Sequence, residues 1–210
     1  PQPQIGKGAA LAQEGHASAA LQYFARAVQL GATQSMVGTE RGLAYDLLGY
    51  HLQAQADYRA ALDADYARAM HGLWQRYPDD SMAGTLYAEA LMDQQPWDYW
   101  TPDGRPKGRA EEIVATLERV LTMHPDHHGA CHYYIHAVEA SSRPERALPC
   151  AERLAGLAPG AGHLVHMPAH IYLRLGLYEK AAEHNVHAVS VDQEYLSTRQ
   201  LSGIYPVGYY

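Results

Sequence analysis

The residues most able to do chemistry in this sequence are its histidines. There are 13 of them, and ten lie within the stretch 124–187. His132 and His136 form a pair four residues apart, and His166 and His170 repeat that pair 34 residues later. On an α-helix such a spacing places two imidazoles side by side on one face. Because neutral imidazole is a preferred ligand of zinc and copper, the four histidines predict a site for a divalent transition metal ion.

Two further residues fall on the same predicted stripe. Glu139 follows the first pair, and His163 precedes the second. Glu139 would serve as an additional ligand or as the acceptor that fixes a ring tautomer. Two alternatives stay open: the histidines dock a peptide carboxylate in a groove, or they form a structural polar network with Tyr133, Tyr134 or Tyr172.

The remaining histidines of this stretch have less specific surroundings. His124, His127 and His128 fall in a turn that also contains a proline, and we expect them to be solvated turn residues. His184 and His187 fall on the helix predicted to follow the second pair, where we expect them at the surface.

A 34-residue period organises the elements that must position these side chains. Five residues recur at this offset: Gly8, Gly15, Ala20, Phe24 and Ala27 return as Gly42, Gly49, Ala54, Tyr58 and Ala61. Small residues allow helices to approach closely, aromatic residues fill the seam between them, and glycines form the turns. The pattern resembles the tetratricopeptide repeat family, in which each unit is a helix A, a tight turn and a helix B.

The resemblance implies an all-α fold, a right-handed superhelical solenoid of about five antiparallel helix-turn-helix units. It also implies that positions 2, 5, 9 and 12 of helix A line a concave groove, and the two histidine pairs occupy positions 5 and 9. Residues 132–139, HYYIHAVE, and 163–172, HLVHMPAHIY, resemble little-characterised bacterial proteins of this family. That second resemblance carries no catalytic assignment.

The predicted register divides the chain into four parts. Two regular units at 1–68 are followed by an irregular unit at 69–127, two histidine-rich units at 128–195 and a partial further helix at 196–210.

The irregular unit contains two unusual features. We expect an additional helix over Tyr66–Arg76, and a Pro- and Trp-rich loop over 95–107 in which three prolines exclude continuous helix. Trp97, Tyr99 and Trp100 in this loop form either an exposed contact surface or a plug packed on neighbouring helices.

Two further features bear on local geometry and on compartment. Pro168 stands between the histidines of the second pair and predicts a kink in that helix. Cys131 and Cys150 would face each other across a helical hairpin, as a possible disulfide or as two buried thiols. Together with the missing initiator Met, a disulfide favours an extracytoplasmic or secreted protein, with a cytoplasmic one as the alternative.

Composition excludes several classes of function. With 47% hydrophobic residues the chain can bury a core, and a net charge of −7 without clustered Lys or Arg argues against nucleic-acid binding. No apolar run reaches the roughly 18 residues of a membrane span.

The leading hypothesis is a non-enzymatic repeat scaffold that associates with protein partners, including copies of itself, and that would stack into a fibre or ribbon if exported. The alternatives are a metal-dependent hydrolase or oxidase with Glu139 as general base, or a metal-binding protein, and a peptide-binding adaptor that uses the same groove.

Overall fold

Helices account for nearly all the regular structure of residues 1–198, the part of the chain that the computed structural model describes. They are α1 (Gln2–Gln13), α2 (Ala17–Gln29), α3 (Gln34–Leu47), α4 (His51–Arg76), α5 (Ser81–Asp93), α6 (Ala110–Met123), α7 (His128–Val138), α8 (Leu148–Leu157), α9 (Gly162–His166), α10 (Pro168–Arg174) and α11 (Tyr178–Thr198). A short 3-10 helix, Pro144–Ala147, precedes α8. The all-α repeat class predicted from the sequence is confirmed. None of the helices in this part of the chain has the length and apolarity needed to cross a membrane.

The chain divides into two compact units, one ending at His71 and the other starting at Gly72. In the first unit, the 34-residue period has a direct packing cause. A side chain on Gly8 would place its Cβ 2.7 Å from Phe24, and one on Gly42 would place it 2.6 Å from Tyr58. Glycine on helix A therefore makes room for the aromatic ring of helix B in both repeats.

The turns inside the helical hairpins use a second repeated glycine. Gly15, Gly49 and Gly176 have φ values of 83°, 79° and 75°. A side chain is strained in this left-handed region, so glycine ends helix A and allows the chain to reverse.

One sequence prediction about this part of the chain is wrong. Residues Tyr66–Arg76 do not form an additional helix, because α4 runs without a break over His51–Arg76. The segment contains no proline, the residue that breaks a helix most strongly, and the first proline after it is Pro78. Nothing in it therefore stops helix B where a regular repeat would end.

In the second unit, α5 pairs with α6, α7 with α8, and the α9–α10 segment with α11. The helix starting at Ser81 is capped by Asp80, whose carboxylate accepts hydrogen bonds from the backbone N–H groups of Met82 and Ala83. Fully buried branched side chains fill the space between the hairpins: Ile113, Leu117, Ile135, Leu154 and Ile171. This core fixes the helix faces that carry the histidines.

Pro168 interrupts the predicted helix A of the last repeat, as expected. The helix divides into α9 and α10 around Met167, whose own backbone stays helical at φ −50° and ψ −37°. Since the helical path continues through the break, His166 and His170 remain on one face. The predicted partial helix at 196–210 lies outside the described residues, except that positions 196–198 continue α11.

In the loop between α5 and α6, two of the three predicted contact residues pack against the protein instead of projecting into solvent. Tyr99 is 5% exposed, and Trp100 donates a hydrogen bond from Nε1 to the carbonyl oxygen of Ala137 at 2.6 Å. Only Trp97 projects into solvent, with 72% of its surface exposed. The plug interpretation therefore fits Tyr99 and Trp100, and the contact-surface interpretation fits Trp97.

Candidate functional site

Five histidines from α7 and from the α9–α10 segment line one cavity of about 690 Å³ in the second unit. They are His132, His136, His163, His166 and His170. Residues of α5 and of the following loop form the facing wall: Glu89, Met92, Asp93, Pro96, Trp97 and Tyr99, with Tyr133 beside them. The structure therefore brings together both predicted histidine pairs and His163.

Three of these imidazoles converge at one end of the cavity. His132 Nε2 and His163 Nε2 are 3.0 Å apart, and the rings of His132 and His136 have centroids 5.0 Å apart. One ring nitrogen from each of the three residues lies within 4.8 Å of the others. His136 is 8% exposed, whereas His163 is open to solvent, so the group spans the wall from its buried side to its mouth.

Glu139 forms a hydrogen bond with one histidine of each pair. Its carboxylate accepts from His136 Nδ1 at 3.0 Å and from His170 Nδ1 at 2.5 Å, one oxygen for each ring. Because an ionised carboxylate can only accept, both Nδ1 atoms carry protons. In the neutral rings the Nε2 atoms are then left with lone pairs.

The second pair extends this network to α11. His170 Nε2 and His166 Nε2 are 2.9 Å apart, and His166 Nδ1 lies 2.7 Å from the side-chain amide of Asn185. Because the Oδ1 atom of Asn185 can only accept, His166 Nδ1 donates to it. A neutral His166 then presents the lone pair of Nε2 to His170. The contact survives the proline break because Met167 keeps helical backbone angles.

Burial sets the charge state of this cluster. It lowers the pKa of His132 to about 3, with the neighbouring rings of His136, His163 and His170 adding to the fall. Burial lowers the pKa of His163 and of His166 in the same direction. These three imidazoles are therefore neutral at pH 7, the state in which imidazole binds metals.

For Glu139, hydrogen bonding outweighs burial in setting the pKa. Burial alone would raise its pKa, but the hydrogen bonds from His136 and His170 outweigh burial and bring the pKa to about 2. The site thus joins neutral imidazoles to an ionised carboxylate, which is a donor set for a divalent transition metal ion.

Two predicted groove residues differ in their environment. Tyr133 lines the cavity, and its ring centroid is 4.9 Å from that of His132. Tyr172 does not line it: the side chain is 4% exposed and packs on His184, with centroids 5.3 Å apart. His184, predicted at the surface, is half-buried, and its Nδ1 lies 3.1 Å from the carbonyl oxygen of Val165.

His124 and His127 precede α7, His128 is its first residue, and none of the three lines the cavity. His127 is not simply solvated, because its Nδ1 accepts from the backbone N–H of Ala130 at 3.1 Å and caps α7. His128 stacks on His127, with ring centroids 5.8 Å apart.

The two cysteines are buried free thiols on α7 and α8. A hydrogen bond between them lowers the pKa of Cys131 and raises that of Cys150, and burial adds to the rise. The predicted disulfide is thus not formed in the structure, although the thiols contact each other. Its formation under oxidising conditions stays a prediction.

Sequence reasoning placed Trp97 in a contact loop but did not predict its contact with the histidine cluster, and it missed Asn185 entirely. Trp97 meets His136 edge-on with centroids 5.1 Å apart, and it is the non-glycine residue with a positive φ, 63°, in the described chain. Asn185 reaches the cluster from α11. A Trp between proline and aspartate in the loop was a visible signal for the first, whereas one asparagine on a polar helix gave none.

Comparisons with known proteins agree with this architecture. The tetratricopeptide repeat family matches residues 39–68. A crystal structure of MamA protein superposes with a TM-score of 0.51 at 11% identity, covering 97% of each chain. Another MamA structure has a TM-score of 0.47 at 18% identity, covering 91% of this chain and 98% of the other.

No curated protein sequence matches the chain. At these identities the structural likeness shows the fold alone. The chain therefore has the tetratricopeptide repeat fold, with the unit at residues 39–68 matched to that family directly.

Proposed function

We propose that the protein is a non-enzymatic repeat scaffold whose histidine-lined cavity receives a segment of a protein partner. The observation that carries this proposal is the cavity of about 690 Å³ between α5, α7 and the α9–α10 segment. Its walls combine aromatic rings with neutral imidazoles that donate and accept hydrogen bonds. Trp97, 72% exposed at its edge, is a residue type enriched at protein interfaces.

More specifically, we propose that the partners include further copies of the same chain. In the first unit, α4 exposes Leu52 and Leu62 at 80% and 69% of their surfaces. Both leucines line one open depression along α4, and a contiguous exposed apolar patch marks a contact surface. Light scattering of the native protein tests this form: assemblies that Leu52→Lys with Leu62→Lys disperses would support it, and a monomer at high concentration would refute it.

The partner-binding cavity is tested by crosslinking with mass spectrometry on protein captured from its native source. We expect crosslinked partner segments to map to the cavity wall and to fall at least several-fold in Trp97→Ala. Tyr178→Ala is the matched control, because Tyr178 is a 66% exposed aromatic on α11. Equal losses in both variants, or crosslinks elsewhere only, would contradict the proposal.

A metal-dependent enzyme is the second candidate, favoured by the clustered imidazoles. The predicted role of Glu139 as general base fits its environment poorly. Both carboxylate oxygens accept from histidines, and its pKa of about 2 makes it a weak base at pH 7. The site therefore favours binding over hydrolysis.

An extracytoplasmic location stays part of the proposal. The contact between Cys131 and Cys150 supports it, because an oxidising compartment would join two adjacent thiols. Alkylation of the natively isolated chain before reduction tests the point: both thiols blocked only after reduction would support export, and two free thiols would argue against it.

A further inference from the structure

Three imidazoles on the cavity wall, from the buried His136 to the exposed His163, form a preassembled ligand set. We propose that His132, His136 and His163 bind one divalent transition metal ion of the zinc and copper class, with Glu139 as the carboxylate that orients His136. This inference goes beyond the scaffold function and does not depend on it, since an ion can bind whether or not a partner enters the cavity.

The spacing of the nitrogens fits an ion. Tetrahedral zinc with Zn–N bonds of about 2.0–2.1 Å places two ligand nitrogens about 3.3 Å apart. His132 Nε2 and His163 Nε2 are 3.0 Å apart, and a nitrogen of His136 lies within 4.8 Å of both. An ion centred among the three would draw the His136 nitrogen towards the other two.

Glu139 fixes which nitrogen His136 offers. The carboxylate accepts from His136 Nδ1 at 3.0 Å, so the proton stays on that atom. The lone pair of Nε2 is then left for the ion. A carboxylate behind a histidine ligand fixes ring orientation and strengthens the ligand in known metal sites.

A second ligand set shares some of these residues. Ligand atoms of His136, Glu139 and His170 also lie within 4.8 Å of one another. Both oxygens of Glu139 already accept Nδ1 protons, from His136 and from His170. An ion bound there through either Nδ1 would have to displace its proton and break its hydrogen bond to Glu139, so we assign the ion to the three-histidine set instead.

The cavity leaves room for a fourth ligand. His163 is open to solvent, and Trp97 meets His136 edge-on at its rim. Three protein ligands with one open position are the arrangement in which a metal accepts water or an incoming group. The ion would thus be accessible from the same cavity that we propose for a partner.

The test is a titration of the chelator-stripped full chain with Zn²⁺, and separately with Cu²⁺, in competition with a chromophoric chelator. We expect one ion per chain for at least one metal, and quenching of Trp fluorescence by Cu²⁺ because Trp97 adjoins His136. His163→Ala should weaken binding roughly 100-fold or more, and Glu139→Gln about 10- to 100-fold. His163 is exposed, so its variant should fold normally.

Matched variants decide where the ion lies. His128→Ala and His187→Ala remove exposed imidazoles outside the cavity and should leave affinity unchanged. His170→Ala should cost less than His163→Ala. The assignment is overturned if neither metal binds at one per chain with micromolar affinity or better, if His128→Ala abolishes binding, or if His170→Ala abolishes it while His163→Ala does not.

Discussion

Equivalent repeat positions have different roles in the two units of the chain. At positions 8 and 24 the first repeat pairs Gly8 with Phe24, and the last repeat has Ala169 and Asn185 there. The aromatic ring that joins helix A to helix B in the first unit is thus replaced by an amide that reaches His166. One repeat frame therefore supports apolar packing in one unit and polar chemistry in the other.

Removing the aromatic ring of the first unit should have the largest effect on stability. Phe24 is fully buried against Gly8. Phe24→Ala should lower the free energy of unfolding by about 4 kcal/mol, because it leaves a cavity as well as losing apolar burial. Urea unfolding followed by circular dichroism measures the change. A loss below about 1 kcal/mol would mean that this pair does not hold the repeat together.

The acid sensitivity of the second unit gives an intermediate effect. The pKa of His132 is about 3 in the folded chain against an ordinary value of 6.5, so the unfolded chain binds a proton first. Stability from this group is full above pH 6.5 and is lost as the pH falls towards 3. By pH 5 the loss reaches up to about 2 kcal/mol, at about 1.36 kcal/mol per pH unit.

The variant His132→Gln should therefore lose less stability than wild type between pH 7.5 and pH 5, as measured by urea unfolding at each pH. Glu139 contributes nothing to this window, because its pKa of about 2 affects stability only below its ordinary value of 4.5. His187→Gln is the control for a histidine outside the cluster. Identical pH dependence in wild type and His132→Gln would show that burial of His132 does not set its protonation.

The amide that occupies the aromatic position in the last repeat should matter least for stability. Asn185→Ala removes one hydrogen bond to His166, and we expect a cost of about 1 kcal/mol. Thermal unfolding measures it beside Phe24→Ala. If Asn185→Ala proved as costly as Phe24→Ala, position 24 would have the same packing role in both units, and the contrast between them would fail.

Much of the fold could be predicted from the sequence because its signals are local. The glycine and the aromatic residue that recur every 34 residues contact each other across one helical hairpin. Their spacing in the sequence therefore follows directly from the geometry of the hairpin. The continuous α4 over Tyr66–Arg76 could not be predicted from the repeat pattern, because that pattern gives where a unit should end and not whether a breaking residue is present.

The positions of the site residues could be predicted from the sequence, but their contacts could not. Spacing alone places His132, His136, His166 and His170 on neighbouring faces. It does not give side-chain rotamers, so the double role of Glu139 and the burial of Tyr172 against His184 became visible only in the structure.

The most direct test of the central claim, that the second unit turns the repeat frame into a ligand site, is anomalous diffraction at the zinc edge from crystals of the wild-type chain grown with Zn²⁺. Our account predicts one strong peak among His132, His136 and His163. A peak confined to the turn of His127 and His128, or no peak in the cavity, would contradict it.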